Sequence, residues 1–165
     1  MMFKIKNHNI DLYTTLLKLS RNLFFYNKIK LKDTFETRVY LMFMHFSIFL
    51  IIFKNRKINF PQATYDSLFH YIENNLREIG FGDVAVNKKM KNMNKIFYDI
   101  LLKINKENNS FKINEKLIFK YFTNLSNSNN LKYKDFEQYF NNFYDFCFEI
   151  DPKIMIKESL KFKVI

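Results

Sequence analysis

The chain has 165 residues, 48% of them apolar, with only two glycines, two prolines and one cysteine. That composition excludes a wholly disordered chain, a disulfide-built scaffold and a turn-rich β fold, and the length fits one domain with its own core. The net charge of +11 points toward polyanionic partners such as nucleic acid, the ribosome or an anionic membrane.

Lys, Asn, Ile, Phe and Tyr are abundant together, as AT-rich codons make them, so the location of the positive charge counts for more than its sum. Residues 1–13 contain no apolar segment of the signal-peptide kind and form only a short stretch before the first helix, so neither a signal nor a transit peptide is expected. With Cys147 alone, no disulfide or cysteine-based metal site can form within the chain, and a reducing compartment, the cytoplasm of a bacterium, is expected.

A first helix is expected to start at Asp11 as N-cap and to run through Leu16, Leu19 and Leu23, followed by a basic link from Asn27 to Lys32. Asp33 with Glu36 three residues on reads as a capping box for the second helix. Within it, residues 39–53 are apolar except for His45 and Ser47. A spanning helix needs about 20 apolar residues, so this shorter run, closed by Arg38 before and by Lys54, Arg56 and Lys57 after, reads as the buried centre of the domain.

Asn59, Phe60 and Pro61 break that helix, and a third begins near Gln62 with Tyr65, Leu68, Ile72, Leu76 and Ile79 at helical spacing. Both glycines of the chain follow, two residues apart. Gly80 reads as the residue that closes this helix and Asp83 as the N-cap of the next. In the fourth helix Val86, Met90, Met93, Phe97, Ile100 and Ile104 form one apolar stripe. At about 100° per residue Lys88, Lys91 and Lys95 fall on the opposite side, and no acidic residue lies between Asp83 and Asp99 to balance them.

A polar linker at 105–110, a short helix near 114–122 and a loop at 123–130 lead to a last amphipathic helix with Tyr133, Phe136, Phe140, Phe143 and Cys147 on one face. The reading is an all-α single domain of about six helices over residues 1–150, built on a long antiparallel hairpin, with a tail at 151–165. Leu41, His45, Leu68, Ile72 and Phe97 are its expected core residues. The 31 aromatic residues (21 Phe and 10 Tyr) exceed what such a core needs. A groove lined by Phe, Tyr and Met is therefore expected between the bundle and the last helix.

His45, inside the apolar run, reads as a neutral imidazole bonded to a backbone carbonyl or a hydroxyl. His70 shares the polar face of its helix with Asp66, Glu73 and Arg77, where surface pairing of Asp66 with His70 and Glu73 with Arg77 is expected rather than a metal site. No phosphate-cradling loop or nucleophile motif is present, and neither an enzyme, a metal nor a cofactor is expected. One reading of the basic fourth helix makes it a recognition helix for nucleic acid, or a ribosome-binding element, after a glycine turn.

The residues Tyr65-Asp66-x-Leu68-Phe69, Leu76-Arg77-Glu78-x-Gly80-x-Gly82-Asp83, Lys88-Lys89-Met90-Lys91-x-Met93 and Phe97-Tyr98 carry a further signal. With Leu12-Tyr13, Arg21, Phe25-Tyr26, Asp33-Thr34, Arg38 and the run Leu41 to Phe49, they resemble the ubiquinol-cytochrome c chaperone family over residues 9–104. Thr37 stands where many members have Gly, and the match is loose after Asn105. The resemblance implies a non-enzymatic assembly chaperone for respiratory complex III whose client is apo-cytochrome b. It implies work beside the ribosome and an anionic membrane, with a second assembly factor as a further partner, and without specific DNA. The location implied is the cytoplasmic side of a bacterial inner membrane, or the mitochondrial matrix in a eukaryote. On this reading Arg77, Gly80, Gly82, Asp83, Lys88, Lys89, Met90, Lys91, Met93 and Lys95 would contact the client or a partner.

Overall fold

The computed structural model describes residues 12–107, 110–126 and 131–164. Helix α1 covers 12–20, and a π-helical turn, Phe24–Lys28, follows it. The longer elements are α2 (Phe35–Asn55), α3 (Gln62–Ile79), α4 (Asp83–Lys103) and α6 (Leu131–Phe148). The short α5 (Glu115–Tyr121) and α7 (Met155–Glu158) complete the set, and the fold is all-α.

Apolar residues point in every direction from α2, so its stability depends on cover from all sides. That cover is present: Leu41, Phe43, Met44, His45, Phe46, Ile48, Phe49 and Ile52 are all fully buried. On one side the cover comes from α4 and α3. Phe97 of α4 lies 5.2 Å from Phe43 and 5.5 Å from Phe46, ring centre to ring centre, and Phe69 of α3 closes the cluster at 5.3 Å from Phe97. On the other side it is α6, whose Phe140 and Phe143 each stand 4.9 Å from the His45 ring.

The π-turn adds Phe25 to this second cluster, 4.7 Å from Tyr139. Beyond α6, Met155 is buried and the Phe162 ring lies 5.3 Å from Tyr139, so part of the 151–164 segment packs on the same helix. Well-placed aromatic pairs contribute about 0.5–1.5 kcal/mol beyond the area they bury. Among the described residues only Phe81, Tyr98 and Phe148 are exposed aromatics. Most of the rings pack on one another inside the domain instead of lining a groove along α6, contrary to the expectation from composition.

His45 is fully buried between α2 and α6. Its Nδ1 is 2.6 Å from the Leu41 carbonyl, which can only accept, so that nitrogen carries the proton. Nε2 must then accept, and the Tyr139 hydroxyl donates to it at 2.8 Å. The ring is neutral with both nitrogens satisfied, bonded to a carbonyl and a hydroxyl at once. Burial pushes its pKa down from the ordinary 6.5 to about 4, against the smaller opposing effect of the Leu41 bond.

Several element ends differ from the sequence reading. Thr34, not Asp33, caps α2: its hydroxyl accepts from the Thr37 N–H at 3.2 Å, while Asp33 is drawn away to the Arg38 guanidinium at 2.7 Å. Leu23 is exposed because α1 ends at residue 20, so the helical spacing that would bury Leu23 has already been broken. Ile79 is 54% exposed because α3 extends past the edge of the core just before its end. The N-cap expected at Asp11 lies outside the described residues.

The His45 pair predicts an acid-sensitive core. The folded-state pKa lies below the unfolded one, so the unfolded chain binds the extra proton first; the contribution is complete above 6.5 and is lost as pH falls toward 4. Unfolding free energy measured by chemical denaturation should fall by on the order of 3 kcal/mol from this group between pH 7 and pH 4. A flat profile across that window would contradict the neutral, doubly bonded ring.

Candidate functional site

The corner between α3 and α4 is closed by backbone geometry. Gly80 has φ 115°, a value L-residues rarely adopt; its N–H bonds to Arg77 O at 3.0 Å and the next N–H, of Phe81, to Leu76 O at 3.2 Å. Nothing lies within 4 Å of where a β-carbon would stand, so conformation and not space demands glycine here. Gly82, with extended backbone, is the N-cap of α4, and Asp83 is its first helical residue, one place later than the N-cap role expected of it.

Asp83 sits where the helix dipole favours a negative charge. Its carboxylate also meets Arg77 at 3.4 Å, and Arg77 reaches Glu73 at 3.1 Å. Exposed pairs of this kind contribute about 0–1 kcal/mol, so the clamp aligns the two helices more than it stabilises them. Further along, the Tyr65 and Tyr98 hydroxyls approach to 3.3 Å.

Helix α4 presents two faces. Inward, Val86, Met93, Phe97 and Ile100 are buried and Met90 is half-buried, which leaves Met93 enclosed in the core and away from any partner. Outward, the positions 84, 88, 91, 95, 98 and 102 recur in steps of four and three and therefore share one line on the surface. That line reads Val84, Lys88, Lys91, Lys95, Tyr98 and Leu102, all exposed, with Val84 at 86% and Leu102 at 77%. Lys89 lies beside it, its ammonium 4.5 Å from the Phe81 ring centre.

The charge of this line is uncompensated. Lys88, Lys91 and Lys95 have no ion-pair partner among the described residues. Of the two carboxylates on α4, Asp83 meets Arg77 at 3.4 Å and Asp99 is committed elsewhere: Lys103 holds it at 2.6 Å and Lys120 at 2.7 Å, with the Tyr121 hydroxyl as a third donor. The bonds from Lys103, then Lys120, then Tyr121 hold its pKa well below the usual carboxylate range.

The apolar residues around the basic line were missed by the sequence reading. Ile79 continues the apolar spacing of α3 yet is exposed, and Val84, Tyr98 and Leu102 lie on no apolar stripe read from the sequence. Counting back and forward from the lysines in the same steps would have found the last three. Ile79, Phe81 and Val84 together make an exposed apolar tip at the corner, beside the positive charge.

Elsewhere, the Asp66 carboxylate accepts from Gln62 at 2.9 Å and does not pair with His70, whose neighbour is Glu73 at 4.0 Å. Among the described residues no cluster of His, Cys, Asp and Glu could hold a metal ion. Where a groove was expected along the last helix, Phe136, Phe140 and Phe143 are buried and seal α6 against the bundle. An apolar cavity of about 620 Å³ opens at the other end of α3, between the α2–α3 connection and residues 151–158.

The sequence model of a family described as ubiquinol-cytochrome C chaperone matches residues 27–117. No curated protein and no solved structure matches the chain significantly. The matched stretch starts later and ends later than the resemblance read from the motifs. It holds α2, α3, α4, the glycine corner and the whole outer line of α4, and it stops before α6.

Reversing the charge of the outer line, with Lys88, Lys91 and Lys95 each changed to Glu, should leave folding intact and weaken association with ribosomes or anionic vesicles. The attraction is Coulombic and screened over about 10 Å at 0.1 M salt, so the wild-type association should also fall as salt rises. Co-sedimentation that the triple variant leaves unchanged would return these lysines to an ordinary solvated face.

Proposed function

Because the chain belongs to the ubiquinol-cytochrome C chaperone family, we propose that it is a non-enzymatic chaperone that binds newly made cytochrome b and assists assembly of respiratory complex III. The observation that carries the structural part is the outer line of α4. It lies inside the matched stretch, its three lysines lack ion-pair partners among the described residues, and its ends are apolar.

Such a surface engages two chemistries at once. The lysines attract a polyanion, ribosomal RNA or an anionic lipid surface, over a range set by salt. The apolar tip of Ile79, Phe81 and Val84 offers contact to a hydrophobic client segment without disturbing the core beneath it. This arrangement suits a protein working at the cytoplasmic side of the inner membrane, where a cytochrome b chain emerges and inserts. A second assembly factor would share the exposed remainder of the surface.

A nucleic-acid recognition helix suits this geometry less well. Helices of 18 and 21 residues joined at a tight corner are longer than the pair in a compact helix-turn-helix, and the line ends in valine, tyrosine and leucine rather than polar base-reading side chains.

Depleting the protein in its native cell should lower cytochrome b and assembled complex III while another respiratory complex keeps its level. Unchanged cytochrome b after depletion, or a uniform fall of all respiratory complexes, would overturn the proposal.

A further inference from the structure

The cavity at the α2–α3 connection is independent of the α4 surface. It lies at the start of α3, and the 18 residues of that helix separate it from the glycine corner by about 27 Å. Its shape comes from two chain reversals. Lys57 adopts a left-handed conformation with φ 57°, so the Ile58 N–H turns back to Phe53 O at 2.9 Å and the Phe60 ring comes to rest 5.1 Å from that of Phe53. Opposite, Pro152 is buried and the turn after it carries Ile154 and Ile156 to the other wall.

The walls are therefore apolar while the rim is positive. Lys153 and Lys157 stand at the edge, and Lys54 and Lys57 line an adjoining hollow of about 410 Å³ that shares Phe53, Ile58 and Phe60 with the cavity. None of these four lysines has an ion-pair partner among the described residues. Of the two carboxylates in the lining, Glu158 pairs with Lys161 at 2.6 Å, while Asp151 keeps its charge, its oxygen accepting only from the backbone N–H of Lys153 at 3.0 Å; four lysines stand against that one carboxylate. Ile58 and Ile154 are exposed at the mouth, where the cavity meets solvent.

We propose that this cavity binds a single-chain anionic amphiphile, of which a long-chain fatty carboxylate is the simplest, with the chain against Phe53, Phe60 and Ile156 and the head on Lys153 and Lys157. The volume falls within the range of about 300–1,000 Å³ typical of sites that enclose a small ligand. An apolar interior alone would accept any greasy molecule; the excess of lysines over carboxylates at its edge selects a negative head. A purely apolar peptide would fill the walls but leave that charge unanswered. The inference does not rest on the chaperone reading, and either can fail without the other.

The test is calorimetric titration of the full chain with oleate below its micelle-forming concentration, with methyl oleate as the neutral control. One saturable equivalent of oleate should bind, and the neutral ester should bind more weakly. The double variant Lys153→Ala and Lys157→Ala should lose about tenfold in affinity, the effect of two exposed charge contacts. Ile154→Asp, at an exposed position and checked for unchanged helicity, should abolish binding. Absence of saturable oleate binding, equal affinity for the ester, or a double variant that binds like the wild type would overturn the proposal. So would binding of an apolar peptide at this site that oleate fails to displace.

Discussion

A helix that is apolar around its whole circumference must be covered on every side, and α2 imposes that constraint on the rest of this chain. Its length and composition would suit a membrane crossing, yet twelve of its 21 residues are buried inside the domain. Burying a single large apolar side chain contributes about 1.5–3 kcal/mol, several times what an exposed ion pair contributes. Covering α2 therefore decides the placement of α3, α4 and α6, and clamps such as Arg77 with Glu73 and Asp83 only trim the result. His45 is the one titratable group in that interior face, and it is tolerated because Leu41 and Tyr139 satisfy both ring nitrogens.

The family match ends at residue 117, but the cover of α2 does not. Without Tyr139, Phe140 and Phe143 of α6, the side of α2 that carries His45 and Phe49 would face water. The C-terminal third is thus a structural necessity for this chain even where its sequence departs from the family pattern. The matched part, in turn, carries the features open to a partner. One face of α4 holds the core and the opposite face is free for contact, so charge on the outer face can change without disturbing the fold.

Much of this was legible in the sequence because it rests on local rules. Helical spacing identified the inner stripe of α4 and the outer position of its lysines; a glycine pair in a chain with no others marked the corner, and Gly80 does take the left-handed backbone. Long-range facts were not legible. That His45 would find a hydroxyl follows from its burial, but that the hydroxyl belongs to Tyr139, 94 residues away, is a property of the packing. Ile79 continues the apolar spacing of α3 and yet is exposed, because spacing tells which way a residue points and not where the core ends. The aromatic surplus was misread for the same reason: composition cannot say whether rings face one another or a groove. Thr34 displaced Asp33 as cap through competition from Arg38, five residues on from Asp33, which a capping motif alone does not weigh.

If the apolar tip at the start of α4 meets the cytochrome b client, as proposed, crosslinking from defined positions will reveal it. A photoreactive residue placed at Phe81 or Val84 in the native cell should form adducts with newly made cytochrome b, while one at the exposed Lys134 of α6 should not. Adducts of equal yield from all three positions, or none from Phe81 and Val84, would contradict this reading.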